Sequence, residues 1–190
     1  MPSANDTVTT LRIELEGIEP LIWRRFTVPA SITLSNLHNV IQAVMGWHDC
    51  HLWLLVANDQ RYGIFIAGDE DWNKRIKNAK KITLNTILVG DLREIEYMYD
   101  FGDDWQHRII VEGSKPAVSR AVHPRFLGGE RRCPPEDCGG IPGYYDFLDR
   151  ISARSSRKRR AALDWYGGPF DPNDIGEQEI IDRFRAMTFE

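Results

Sequence analysis

The stretch YMYDFGDDWQHRI, residues 97–109, concentrates acidic side chains that could bind a cation or act on a substrate. Asp100, Asp103 and Asp104 fall within five positions and have aromatic neighbours. Carboxylates this close repel one another unless cations or hydrogen-bond donors offset their charge. The stretch therefore predicts either a tight turn with solvated acids or a polar cluster with partners elsewhere in the chain, and solvated turns are the commoner arrangement.

Two further segments carry groups that could complete such a cluster. Arg24 and Arg25 follow a tryptophan in LIWRRF, and an arginine can hold a carboxylate through two parallel hydrogen bonds. Glu136 and Asp137 lie in CPPEDCGG, where prolines stiffen the backbone and glycines permit close approach. We predict that Arg24 or Arg25 contacts the hairpin acids and that Glu136 or Asp137 borders the same polar cleft. A structural cluster is favoured, and a small hydrolase that uses these carboxylates, with metal assistance as an option, is the alternative.

Histidines and cysteines offer a weaker, metal-like pattern. A structural zinc site usually shows two close pairs of ligands, often with two to four residues between the members of a pair. The cysteines of CPPEDC are at the edge of this spacing, and HDCH supplies no clear second pair. We therefore expect neither a metal nor another cofactor. The residues that come nearest to a ligand set are His51, His107, Cys133 and Cys138.

The segment RSSRKRR could bind the phosphates of a nucleic acid. Phosphate binding by a cluster of cations would give a strongly salt-dependent affinity. The remainder of the chain is acidic, so a solvated helix face is favoured and nucleic-acid binding is the minority alternative. The cations of this segment are Arg154, Arg157, Lys158, Arg159 and Arg160.

Composition sets the class of protein. The chain has 190 residues, of which 42% are hydrophobic and 27% charged, as in ordinary globular proteins. This length predicts a single domain over residues 1–190, with a flexible segment at residues 1–9. The net charge of −4 argues against a general attraction to nucleic acid or to an anionic membrane, and no apolar run is long enough to span a bilayer. Three cysteines and a polar start without a secretory leader predict reduced thiols in the cytoplasm.

Hydrophobic periodicity predicts the elements that position these groups. Leu11, Ile13 and Leu15 alternate with charged residues, which indicates a strand, and a second strand follows it. Residues 34–45 have a helical period, and Gly46 suits the left-handed position after a helix. Two apolar runs, LWLLVA and RYGIFI, complete a ββαββ order that resembles a β-grasp arrangement.

The second half of the chain is predicted to add a hairpin and helices. The acidic stretch forms the hairpin, residues 113–143 are rich in turn-forming residues and predict an irregular run, and three helices end the chain. The predicted fold class is therefore α+β: a mixed or antiparallel sheet with a β-grasp-like first half, an acidic-loop hairpin and C-terminal helices.

The aromatic residues fix a register for the acidic hairpin. Tyr97 and Tyr99 share one face of a strand, and Trp105 and His107 share a face of the next. The two faces coincide if residue 101 pairs with Trp105 across a three-residue loop, residues 102–104. This register puts His107 on the aromatic side and Asp100 on the opposite side, so the two cannot bind one ion from the hairpin alone.

Three long motifs in this order resemble the plasmid pRiA Orf-three-like family, whose members are also described as TnpR-like passenger proteins of insertion elements. The motifs are GIEPLIWRRFTVPASITLSNLHNVIQAVMGWHDCHLW, YDFGDDWQH and CPPEDCGGIPGY, and the resemblance runs from about residue 10 to the C-terminus. Cys133 and His48 are less typical of the family. The residues that match its motifs are Trp23, Arg24, Arg25, His38, Trp47, His51, Tyr99, Asp100, Phe101, Gly102, Asp103, Trp105, His107, Pro134, Pro135, Glu136, Asp137, Gly139 and Gly140.

The resemblance implies a role rather than a reaction. It suggests a soluble binding or accessory module that is associated with mobile genetic elements. A serine recombinase, which the TnpR label suggests, would need a nucleophilic serine among arginines in a different catalytic fold, and the sequence has no such arrangement. The carboxylate hydrolase and the nucleic-acid-binding protein stay open as alternatives.

Overall fold

One sheet carries Arg24 and Arg25 on a strand and is bordered by the loop that contains His51. Within residues 7–117 and 124–188, the part that this computed structural model describes, the chain forms an eight-stranded sheet and six α-helices, so the α+β class is confirmed. The strands are β1 (Thr7–Leu15), β2 (Ile22–Pro29), β3 (Trp53–Ala57), β4 (Gln60–Gly63), β5 (Lys77–Asn78), β6 (Glu94–Tyr99), β7 (Trp105–Pro116) and β8 (Arg125–Glu130). The helices are α1 (Leu34–Met45), α2 (Glu70–Arg75), α3 (Leu84–Ile87), α4 (Gly140–Ser152), α5 (Ser156–Tyr166) and α6 (Glu177–Ala186), and a 3-10 turn covers Ala79–Lys81.

The sheet is mostly antiparallel. Its strand order is β5-β4-β3-β6-β7-β1-β2-β8, and only the short β4–β5 pair among the described strands is parallel. The predicted ββαββ order is present in β1, β2, α1, β3 and β4. Its two hairpins are not neighbours in the sheet, because the β6–β7 hairpin pairs with β3 on one side and with β1 on the other.

Helix α1 covers the centre of the sheet. The side chain of Thr33 caps its first turn by accepting the N–H of Asn36, and Gly46 ends it in the left-handed conformation with φ of 83°. The helix buries an apolar face, and its His38 ring stacks on Trp53 of β3 at 4.3 Å between centroids. The core therefore lies between α1 and the aromatic side chains of β3, β6 and β7.

The acidic hairpin has the predicted faces but a different loop. Tyr97 pairs with His107 and Tyr99 pairs with Trp105, and all four side chains are buried. The loop therefore contains five residues, 100–104, and the prediction of a three-residue loop is wrong. Asp100 adopts a positive φ of 54° and its carbonyl accepts the N–H of Asp104 at 2.7 Å, so the chain leaves the strand one residue after Tyr99.

Three other boundary predictions can be compared with the structure. Residues 7–9, expected to be flexible, are the first residues of β1, while residues 1–6 lie outside the described part of the chain. The run 113–143, expected to be irregular, contains the end of β7 and all of β8, and residues 118–123 are outside the description. The three predicted C-terminal helices are confirmed as α4, α5 and α6. In the described residues, every helix is too short or too polar to cross a membrane.

Candidate functional site

Three loops meet beside the end of the β6–β7 hairpin. The N–H of Asp100 donates to the carbonyl oxygen of Leu52 at 3.0 Å, which joins the hairpin to the segment after α1. The N–H of Gly139 donates to Asp103 Oδ2 at 3.0 Å, which joins the hairpin to the segment before α4. We call these segments the histidine loop (residues 46–52), the acidic turn (residues 100–104) and the proline loop (residues 133–139).

One histidine and two aspartates converge where the loops meet, one from each loop. His51 Nε2 lies 3.0 Å from Asp137 Oδ1 and 3.6 Å from Asp100 Oδ2. One ligand atom of each residue lies within 4.8 Å of the other two. Although Asp137 is close, His51 Nε2 is inaccessible to solvent and makes no hydrogen bond of acceptable geometry. The group therefore brings three potential ligand atoms close together, and the nitrogen among them has no hydrogen bond to the described residues.

The acidic turn builds Asp100 into this position. Its Oδ1 accepts the N–H groups of Gly102 at 2.9 Å and of Asp103 at 3.3 Å, which is the local side-chain-to-backbone bonding that favours aspartate in turns. The residue is only 6% exposed. Because Oδ1 is used by the turn, Oδ2 is the oxygen that is left to face His51.

Glu136 is fixed in a similar way beside the cluster. Its Oε1 accepts the hydroxyl of Tyr99 at 3.0 Å and the N–H of His48 at 2.7 Å, whereas Oε2 is buried and has no hydrogen-bond partner among the described residues. Burial, and then the charge of Glu136, raise the pKa of Tyr99 well above its ordinary value, so this phenol remains a hydrogen-bond donor. Glu136 is thus held rigidly with one carboxylate oxygen unused.

Two glycines allow the proline loop to approach the acidic turn. Gly139 and Gly140 both have positive φ, of 91° and 66°. A Cβ atom at Gly140 would lie 2.7 Å from the carbonyl oxygen of Asp103, closer than side-chain carbons approach an oxygen. The absence of a side chain at Gly140 therefore allows the two acidic loops to approach this closely.

The site is electrically negative. Among the described residues, His51 is the only basic side chain within 4.0 Å of a carboxylate in the acidic turn or the proline loop. Burial first, and then the charges of Asp103, Asp137 and Asp100, raise the pKa of Cys138 to about 12. Such uncompensated charge favours the binding of a cation.

The predicted arginine contacts are wrong. Arg24 is 1% exposed, and its guanidinium donates to the carbonyl oxygens of Val44 (3.0 Å), Trp23 (2.8 Å) and Glu130 (2.8 Å) and to the sulfur of Cys133 (3.3 Å). It therefore satisfies backbone groups between α1 and the sheet edge and serves as a structural donor.

Arg25 points to the other side of β2. It forms a two-bonded pair with Glu112 of β7, at 2.7 Å for each bond. Because side chains alternate across a strand, Arg24 and Arg25 cannot both face the acidic turn, and neither contacts Asp100, Asp103 or Asp104. Asp104 instead accepts a hydrogen bond from Gln106 on the exposed side of the hairpin.

Of the four weak metal-ligand candidates, only His51 enters the cluster. His107 lies in the core, where Nδ1 is 3.2 Å from the carbonyl oxygen of Tyr97 and burial lowers its pKa to about 4. Cys133 is buried against Arg24, and Cys138 contacts the carbonyl oxygen of Gly140. Residues 154–160, the basic segment, lie at the start of α5, and their five cationic side chains are exposed.

Spacing along the chain did not single out the pairing of His51 with the two aspartates, because the three come from separate loops. The signal that could have found them is the motif set of the family resemblance, which contains all three. Sequence reasoning also missed a buried network in α1: His38 contacts Asp49 at 2.8 Å and the hydroxyl of Tyr97 at 2.9 Å, and Gln42 also bonds this hydroxyl.

Comparison with known proteins agrees with the sequence resemblance. The chain is 35% identical over 162 residues to the uncharacterized protein y4hQ of Sinorhizobium fredii, which covers 85% of this chain and 81% of that protein. It is also similar to the crystal structure of MM3350, a protein of unknown function from Methanosarcina mazei Go1, with a TM-score of 0.81 and 30% identity over 92% of this chain and 98% of that chain.

The family model that matches is that of plasmid pRiA4b ORF-3-like proteins, and it spans residues 7–179. The match includes the whole sheet, the histidine loop, the acidic turn and the proline loop. The chain therefore belongs to the plasmid pRiA4b ORF-3-like protein family.

Proposed function

We propose that the protein binds a divalent metal ion through His51, Asp100 and Asp137. The position of His51 Nε2 supports this most strongly, since the atom is buried, lacks a hydrogen bond and lies 3.0 and 3.6 Å from two carboxylate oxygens. Two ligands bound to one ion at about 2.1 Å are separated by roughly 3 to 3.5 Å in octahedral or tetrahedral geometry. The observed separations are close to those values.

The donor set indicates which ions would bind. One imidazole nitrogen with two carboxylate oxygens suits Zn²⁺ or Mn²⁺ better than Mg²⁺, which prefers oxygen ligands. The expectation that no metal is bound came from spacing along the chain, which cannot detect ligands from three loops. Three protein ligands are typical of sites that keep a coordination position open for water or a substrate.

A metal-assisted hydrolase is the second candidate, and Glu136 supports it. A divalent ion held by His51, Asp100 and Asp137 would lower the pKa of a water bound at its open position. Glu136 Oε2 is buried and unpartnered next to Asp137 in the chain, so this carboxylate can accept a proton. The accessory role in mobile elements that the family resemblance suggests is compatible with either a binding or a hydrolytic function.

Calorimetric titration of the metal-free full chain with Zn²⁺ and with Mn²⁺ tests the site. We expect one ion per chain, and we expect His51→Gln and Asp137→Asn to weaken binding at least tenfold. Asp104→Asn is the matched control, because Asp104 is in the acidic turn but its side chain bonds only Gln106 among the described residues. Equal affinity in all four proteins, or no binding in the original chain, would exclude this cation site.

Hydrolysis is tested separately with two chromogenic esters, bis(4-nitrophenyl) phosphate and 4-nitrophenyl acetate. We expect turnover to depend on the added ion and to be lost in Glu136→Gln while that variant still binds the ion. If the original chain binds the ion but hydrolyses neither ester, the cation site is supported and the hydrolase function is contradicted.

A further inference from the structure

A cavity of about 410 Å³ adjoins the proposed cation site and shares His51 with it. Its volume falls within the range of roughly 300 to 1,000 Å³ that is usual for small-molecule sites. The cavity lies between the start of α1, the histidine loop and the segment after β4. Its lining includes His38, Trp53, Trp72 and Lys80 in addition to His51.

One wall of the cavity is aromatic and fixed in place. The indole N–H of Trp72 donates to the carbonyl oxygen of Ile64 at 2.9 Å, which sets the orientation of the ring. Phe101 of the acidic turn packs against the same indole, with 5.8 Å between ring centroids. Leu52 and Phe101 are 45% and 42% exposed, so apolar side chains face solvent beside an otherwise acidic site. Such a wall suits a flat apolar body.

The lining of the cavity contains one cationic and one acidic side chain, and within the described part of the chain only the acidic one has an ion-pair partner. Lys80 is exposed and is the only lysine or arginine in the lining, and it forms no ion pair with the described residues. Asp49 is the one carboxylate of the lining, and it is already in contact with His38 at 2.8 Å. A negative group on a ligand could therefore pair with Lys80, which pairs with no described carboxylate. A positive group would have to compete with His38 for Asp49.

We propose that this cavity binds a small aromatic anion, whose ring lies on Trp72, whose acidic group pairs with Lys80, and which reaches the ion at His51. The inference rests on the proposed function for the last of these contacts only. Trp72 and Lys80, the other two contacts, are not ligands of the proposed cation site. An aromatic anion is thus the class of ligand that the cation site would hold or act on.

Fluorine NMR with 4-fluorobenzoate tests the anionic contact in the metal-free full chain. We expect saturable line broadening, and we expect the neutral analogue 4-fluorobenzyl alcohol to bind at least fivefold more weakly. Lys80→Met should remove this difference, and Trp72→Leu should weaken both probes. Lys81→Met is the matched control, because Lys81 is exposed and lies outside the lining. Equal binding of the two probes, or equal binding by the Lys80 and Lys81 variants, overturns the inference.

A second titration with Mn²⁺ distinguishes the inference from the proposed function. If the ion lies at His51, it should broaden the fluorine signal of bound 4-fluorobenzoate strongly, and His51→Gln should abolish this broadening. Lys80-dependent binding without paramagnetic broadening would support the aromatic-anion cavity and overturn the cation site. Paramagnetic broadening that persists in Lys80→Met would support the cation site and overturn the assignment of Lys80.

Discussion

The carboxylate of Asp103 accepts the backbone N–H of Gly139 at 3.0 Å, across 36 positions of the chain. This bond holds the acidic turn against the proline loop at the first residue before α4. It places a negative charge at the N-terminus of that helix, where the helix dipole favours it. Because Asp100 and Asp137 belong to the two loops that the bond joins, their meeting at His51 depends on this junction.

Replacing Gly140 by alanine should open the junction. The new Cβ atom would lie 2.7 Å from the Asp103 carbonyl oxygen, and the positive φ adds a cost of about 1–2 kcal/mol for a residue with a side chain. We expect urea unfolding to show that the free energy of unfolding falls by more than this conformational cost. We expect calorimetry to show weaker ion binding. Gly139→Ala is the control: it has a positive φ too, but the nearest atom to its Cβ is 3.7 Å away. Equal losses in the two variants would mean that the close approach is unimportant.

Arg24→Met and Arg25→Met should have very different effects on stability, although the residues are adjacent. Arg24 is a buried donor, and its loss removes hydrogen bonds to one buried and two partly buried carbonyl oxygens, which should cost about 3 kcal/mol. Loss of Arg25 removes an exposed ion pair with Glu112, which should cost less than about 1 kcal/mol. Urea unfolding of both variants measures the difference. Similar losses would contradict the structural role of Arg24.

The periodic part of the fold was predictable, and its non-local pairing was not. Alternation and helical period identify β1, α1 and the C-terminal helices because each depends on residues close in sequence. Strand β8 has glycines at positions 128 and 129, so its sequence indicates a turn. It is a strand because β2 supplies its hydrogen bonds, with Arg24 opposite Gly129. Contact with a distant strand here overrides local preference.

The site was half predictable for the same reason. The acidic residues and His51 are visible as motif residues, but their partners depend on which loops the sheet brings together. The predicted contact of Arg24 with the acidic turn was wrong because its side chain faces α1 and donates to backbone carbonyl oxygens. Such acceptors have no signature in a sequence. The prediction of a three-residue loop was wrong because Asp100 Oδ1 accepts hydrogen bonds from the turn that follows it, and the strand therefore ends at Tyr99.

The stability of the protein should fall as the pH decreases from 6.5 to 4, partly because of His107. Burial lowers its pKa to about 4, whereas an unfolded histidine titrates near 6.5. In this window the unfolded chain binds the proton and the folded chain does not, so stability is present above pH 6.5 and is lost by about 3 kcal/mol at pH 4. His107→Gln should be less sensitive to pH in urea unfolding at pH 7 and pH 4. An unchanged pH dependence would show that His107 does not titrate this way.

The basic segment at the start of α5 should not bind duplex DNA appreciably at physiological ionic strength. Its cations are exposed, but the protein carries a net charge of −4, and phosphate contacts weaken steeply with salt. Fluorescence anisotropy with a labelled duplex should show no binding at micromolar protein. A submicromolar affinity that disappears when Arg157, Arg159 and Arg160 become alanine would establish the nucleic-acid alternative.

Alkylation of Cys50 should become faster when Mn²⁺ binds. The thiol is exposed, and partial burial together with the charges of Glu136, Asp137 and Asp49 raises its pKa. A bound cation offsets the charge of Asp137, which should lower this pKa and increase the thiolate fraction, the form that reacts. We expect a roughly threefold faster reaction with iodoacetamide at pH 7.5 because more of the thiol is ionised.

Asp137→Asn separates this electrostatic effect from a general change in structure. The substitution removes one of the charges that raise the Cys50 pKa and also removes an ion ligand, so the reaction without Mn²⁺ should be faster and Mn²⁺ should no longer accelerate it. Peptide mass spectrometry identifies the alkylated thiol, and Cys133 and Cys138 should stay unmodified because burial raises the pKa of both. Acceleration by Mn²⁺ that survives in Asp137→Asn would mean that the ion acts from another place.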